Sequence, residues 1–220
     1  MKPRDDFDED FGLSGLTKYV RSPWVTRSET AVLDLVGDLA ERYGRVYAEE
    51  VLRDIQRLLA APLPDEVLNS LWLAATGAHF DPAGEGLDIR TWLSRIAEVC
   101  IGRIRQDDPT FVSTVLVPAP ETGLREAILE EIRGAAPALT EKAVTSTYPA
   151  PLPDVVPALR AVTEIDPDLG FRLFLRAMKV YFVPISEARW ERFNKLGERF
   201  GYNEFVVDDG NLNIWSDLVD

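Results

Sequence analysis

One cysteine and one histidine are all that this 220-residue chain offers to soft metal ions and to thiol or imidazole chemistry. Cys100 closes no disulfide within the chain, and its place in the apolar stretch 92–104 predicts a buried, inert thiol. With His79 the sole imidazole, the chain lacks the ligands a zinc site usually needs and the paired Glu-x-x-His of a di-iron bundle. No G-x-x-x-x-G-K-[ST] loop is present to cradle a nucleotide's phosphates. Gly84-Glu85-Gly86 is only a fragment of a dinucleotide fingerprint, with an acid where pyrophosphate would approach. Gly12-Leu13-Ser14-Gly15 falls one residue short of a nucleophile elbow. These gaps leave no catalytic residue, metal site or cofactor site to assign from sequence.

Long apolar runs are missing as well, and none approaches the ~20 residues of a membrane span. The first ten residues carry Asp5, Asp6, Asp8, Glu9 and Asp10, the reverse of a basic, apolar leader, so the cytoplasm is the expected compartment. Positive charge is in deficit: 24 Lys and Arg face 37 Asp and Glu, for a net charge of -13. Such a field repels phosphates, and the arginines are dispersed beside acids rather than clustered, which disfavours nucleic acid as a partner. It suits a basic protein partner instead. Arg in excess of Lys, with abundant Ala, is the bias expected of a GC-rich bacterial genome.

What the chain does hold is helical pattern. Its 46% apolar content is that of a folded protein with a core, which excludes disorder of the whole chain. Residues 1–27 read as an acidic tail and a loop broken by Gly12, Gly15 and Pro23, with Leu16, Tyr19 and Trp24 docking part of it. From the N-cap Ser28, Val32, Leu35, Val36 and Leu39 recur at three- and four-residue spacing. Gly44 separates that helix from another carrying Val51, Leu52, Ile55 and Leu58. Further helices are predicted from Asp65, from Asp88 to about Gln106, over Glu121–Arg133, again after Pro137, and over Asp154–Glu164, Asp168–Phe182 and Ser186–Phe200. The segment Phe111–Val117 fits either a short helix or a buried extended piece. Gly201 fits a left-handed C-cap. Beyond it, Glu204–Val207 and Leu212–Trp215 flank Asp208-Asp209-Gly210-Asn211, the local signature of a β-hairpin.

The expected architecture is therefore mainly α: a multi-helix bundle or short helical-repeat array over 28–201, with a small hairpin in 202–220 packed on it. The repeat option rests on Ala61-Pro62-Leu63-Pro64-Asp65 recurring as Ala150-Pro151-Leu152-Pro153-Asp154. Coincidence in a chain rich in these residues competes with it.

Carboxylates are the remaining candidates for chemistry. Glu49-Glu50 with Asp54, and Glu130-Glu131, could ligate a hard cation, or could simply solvate an amphipathic helix face. Asp209, Asn211 and Asn213 alternate like calcium ligands but lack the loop's glycine and closing Glu. His79 could act as a base or pack at a helix end. At the acidic C-terminus, Asp208, Asp209, Trp215 and Asp217 combine an aromatic anchor with negative charge, the composition of a protein-binding patch. The sequence thus favours a non-enzymatic acidic binding module, of the immunity or antitoxin type that occludes a basic toxin. A helical enzyme using carboxylates with a divalent metal, or a helical scaffold, is the alternative.

Overall fold

The computed structural model describes residues 10–114, 122–146 and 151–218. The fold is mainly α, with one small two-stranded sheet near the C-terminus. Its contacts divide it into two compact units, within Phe11–Ala119 and within Pro120–Asp220. The expected helical domain, 28–201, runs across that division.

The first unit is built on α2 (Glu29–Ala60), which packs chiefly on α4 (Ile89–Asp107) and on α1 (Gly12–Val20). Ser28 caps α2 as expected, its hydroxyl accepting from the Ala31 amide at 3.3 Å. The long helix breaks at Gly44, where φ is 76°. Only glycine enters that region without steric cost, which is why the sequence reads as two helices there. α1 replaces the expected loop. Phe11, Leu13, Leu16 and Val20 are buried, and that burial outweighs the poor helix propensity of Gly12 and Gly15. Trp24, expected to dock, is 90% exposed.

Asp54 lies inside this unit rather than on a solvated face. It is 1% exposed and accepts from the Leu13 amide at 2.8 Å, where a carboxylate meets the unpaired N–H groups at the start of α1. α3 (Asp65–Thr76) follows the Pro62–Pro64 turn, which Arg90 braces through the Leu59 and Leu63 carbonyls and the Asp65 carboxylate. Trp72 and Phe80 both pack on Trp92, at ring separations of 5.4 and 4.7 Å.

The second unit centres on α7 (Pro167–Val180), all of whose residues are buried. Asp166 divides it from α6 (Val155–Ile165) and caps it through the Leu169 amide at 3.1 Å. A Cβ on Gly170 would lie 2.4 Å from the Thr163 hydroxyl, so α6 and α7 meet closer than any side chain allows. α5 (Thr122–Thr145) runs on through Pro137, where two helices were predicted. The ring removes one backbone hydrogen bond, and the helix continues because its apolar face packs on α6 and α7. α8 (Glu187–Phe200) is capped by Ser186 at one end and, as expected, by left-handed Gly201 at the other.

The hairpin is replaced by a different pairing. Glu204–Val207 forms a short helix, α9, and β2 (Asn213–Trp215) pairs in parallel with β1 (Pro184–Ser186), Ile214 opposite Ile185. Asn203 decides this: its side chain accepts from the Phe205 and Val206 amides at 2.9 and 3.2 Å and starts a helix where the first arm was expected.

The two Pro-Leu-Pro-Asp sites share a chain order, long helix, turn, helix, helix, but their packing differs. α2 lies mainly on α4 in the first unit, while α6 sits against both α5 and α7 in the second. Ala150 and residues 115–117 of the undecided segment fall outside the described residues; 111–114 carry no regular structure. No helix of the described residues is long and apolar enough to cross a membrane.

Cys100 is buried, as expected, and burial pushes its thiol up to about 12. At mildly alkaline pH a thiol-specific aromatic disulfide should leave the native chain unlabelled and label one thiol after unfolding in guanidinium. Rapid stoichiometric labelling of the folded protein would contradict this packing.

Candidate functional site

The four acidic and aromatic residues singled out at the C-terminus occupy distinct places in the second unit. The chain leaves α9 through Asp208, whose Oδ1 accepts from the Gly210 amide at 2.9 Å and closes a tight turn around left-handed Gly210. Its other oxygen accepts from the Trp190 indole at 2.9 Å, which fixes the carboxylate against α8. Asp209 has a structural task. Its Oδ1 lies 3.0 Å from Nζ of Lys179 on α7, with the side chains only 7% and 3% exposed. Trp215 is 57% exposed on β2, and Asp217 follows it in solvent.

Trp215 belongs to a patch that the sequence pattern missed. α7 ends in a doubly bonded C-terminal turn, the Val183 amide reaching the Met178 carbonyl at 3.0 Å and the Phe182 amide reaching that of Lys179 at 3.4 Å. Phe182 occupies the left-handed position of that turn, φ 49°, which glycine normally fills. The Asn213 amide group ties the two aromatic residues together. It donates to the Phe182 carbonyl at 2.8 Å and accepts from the Trp215 indole at 2.7 Å. Phe182 is 58% exposed, and Ile214 and Leu218 are partly exposed on the same ribbon.

Beside α9 lies a groove of about 540 Å³, formed by α8, α9 and the turn between them. The helices approach closely because residue 197 is glycine; a Cβ there would fall 2.5 Å from Val207 Cγ2. Trp190, Tyr202 and the half-exposed Phe205 supply aromatic lining. Four carboxylates, Glu191, Glu198, Glu204 and Asp208, line it with a single ammonium, Lys195.

The other carboxylate candidates are engaged in ion pairs or caps. Glu50 pairs with Arg53 and Glu130 with Arg133. Glu131 bridges α5 to α8 through Arg189 at 3.4 Å and Arg192 at 2.5 Å. His79 is 4% exposed and its Nε2 lies 2.7 Å from the Val25 carbonyl, tying down the loop before α2. Among the described residues no group of three or more His, Cys, Asp or Glu could hold a metal ion. Asp5–Glu9 lie outside the described residues. No family model, curated protein or solved structure matches this chain.

Removing the Asp209 charge leaves Lys179 buried without its counter-ion, a situation that costs about 3–5 kcal/mol. Asp209→Ala should therefore shift chemical denaturation strongly, while Asp217→Ala on the exposed ribbon should barely move the midpoint. Equal, small effects would remove Asp209 from its structural place.

Proposed function

We propose that this chain is a non-enzymatic protein-binding module, of the immunity or antitoxin type, that meets a basic protein through the acidic, aromatic edge of its C-terminal unit. The observation that carries the reading is Phe182. An L-residue held in the left-handed region costs about 1–2 kcal/mol relative to glycine. Here the residue kept there is a large aromatic with more than half of its surface in solvent. Local strain at an exposed side chain is a mark of a functional position, since nothing in the turn itself calls for an aromatic ring.

The neighbouring chemistry supports the same reading. Rigid aromatic anchors supply most of the energy at protein interfaces, and the Asn213 amide fixes Trp215 and the Phe182 backbone to one support. The surplus of 37 acidic over 24 basic residues gives a field that speeds encounter with a positively charged partner. The same surplus keeps nucleic acid and anionic membranes away, and the cytoplasm remains the compartment in which we place the protein.

Phe182→Gly separates stability from function. Relief of the backbone strain should raise unfolding stability by up to about 1 kcal/mol, less whatever contacts the ring makes. Binding should move the other way, weakening about tenfold or more as an interface anchor is lost. Suitable partners are purified basic proteins encoded by neighbouring reading frames, titrated against wild type, Phe182→Gly and Trp215→Ala at rising ionic strength. Association should slow steeply with salt. A partner bound equally well by all three proteins, or at a rate blind to salt, would defeat the proposal.

A further inference from the structure

The groove along α8 and α9 has a chemistry of its own. Glu198 and Glu204 are exposed carboxylates on its wall, and no hydrogen bond or ion pair engages either among the described residues. Asp208 is held in place by the Trp190 indole and the Gly210 amide, each of its oxygens still able to accept again. Between and around them stand the aromatic rings of Trp190, Tyr202 and Phe205. A fixed carboxylate with two unengaged ones and aromatic rings beside it offers what a guanidinium or ammonium group requires: charge-assisted hydrogen bonds to the oxygens and attraction to the ring quadrupole.

Other occupants fit less well. An anion would meet four carboxylates and one lysine. A bare metal ion needs converging oxygen ligands, and no such cluster exists among the described residues. An uncharged apolar ligand would leave those carboxylates desolvated without partners. The volume, about 540 Å³, far exceeds one cationic head group, so it suits a stretch of chain rather than an isolated amine.

We propose that this groove docks a basic, extended segment of a protein partner, with an arginine or lysine side chain set against Trp190, Glu198, Glu204 and Asp208. The proposal rests on the reading of the partner as a basic protein and assigns it a second point of attachment, distinct from the Phe182–Trp215 edge. Groove and edge are joined through the turn at Asp208–Gly210, which the Lys179–Asp209 ion pair anchors to α7.

The probe is a terminally blocked hexa-arginine peptide, titrated by calorimetry at low ionic strength into the full-length chain. An acidic protein attracts any polycation, so the comparison is between charge-matched variants. Glu198→Gln with Glu204→Gln removes two of the groove's four carboxylate charges. Glu126→Gln with Glu141→Gln removes the same charge from exposed positions on α5. The groove pair should weaken binding about tenfold or more, and the α5 pair less than about twofold. Circular dichroism checks that each variant folds.

Equal losses from the two pairs would mean a diffuse field and would overturn the proposal, as would the absence of saturable binding by wild type. A blocked arginine monomer binding as tightly as the peptide would also overturn it, revealing a site for a small free cation. Trp215→Ala should leave peptide binding unchanged. A partner that depends on Trp215 but ignores the groove variants would therefore sink this inference alone and leave the proposed function standing.

Discussion

The C-terminal unit depends on the ion pair between Lys179 and Asp209. α7 is buried along its whole length yet carries Arg172, Arg176 and Lys179, cations that cannot be taken from water unpaired. Arg172 answers to Asp168 one turn earlier, at 3.5 Å, and Asp168 also accepts from the Tyr202 hydroxyl. Lys179 answers to Asp209, which arrives from the far side of α8 and α9. That contact, with the bond from Lys179 to the Val206 carbonyl at 3.4 Å, ties the chain at and after α9 to the end of α7. There β2 finds β1, and Asn213 reaches the Phe182 carbonyl. The placement of the exposed aromatic edge follows from a buried charge that had to be neutralised.

Local pattern made most of the helices legible and left their partners obscure. Ser28 and Asp88 cap the helices they were expected to start, and Asp166 and Ser186 cap helices predicted to begin within two residues of them, because a cap is satisfied within three residues and needs nothing from the rest of the chain. Gly44 and Gly201 mark a break and a stop for the same reason. The hairpin failed where two local signals competed. Alternating apolar residues around Asp209-Gly210 did specify a turn, with Gly210 at φ 81°, but Asn203 caps a helix in the first arm. The second arm then pairs with 184–186, a contact that no window around residue 213 contains.

The candidate site was half visible for similar reasons. Trp215 and Asp217 stand in solvent as a terminal acidic and aromatic patch would, whereas Asp209 carries an identical side chain into a buried pair. Nothing in the sequence distinguishes the two aspartates, since what differs is the lysine that each does or does not meet. Asp54 is the same lesson in the first unit, a residue on the polar side of a helical pattern that is buried because α1 needs an acceptor at its start. Phe182 carried no signal at all. A left-handed C-terminal turn is read from Gly or Asn, and the residue present is the one that pattern reading assigns to a core.

Negative charge on this protein therefore falls into two populations with different consequences. Asp54, Asp168, Asp209 and Glu131 are spent on helix starts, buried cations and the bridge between α5 and α8, where each removes an unsatisfied group from the interior. Glu198 and Glu204 have no such internal duty and stand in solvent on the wall of the groove, near the half-exposed ring of Phe205. Folding accounts for the first population. For the second it supplies only a rigid support: the close approach of α8 and α9 at Gly197 and the fixed carboxylate of Asp208. Carboxylates left without an internal partner retain their attraction for a cation from outside, and the fixed Asp208 adds one whose ordering is already complete. That is the physical reason to look for recognition at this end of the C-terminal unit.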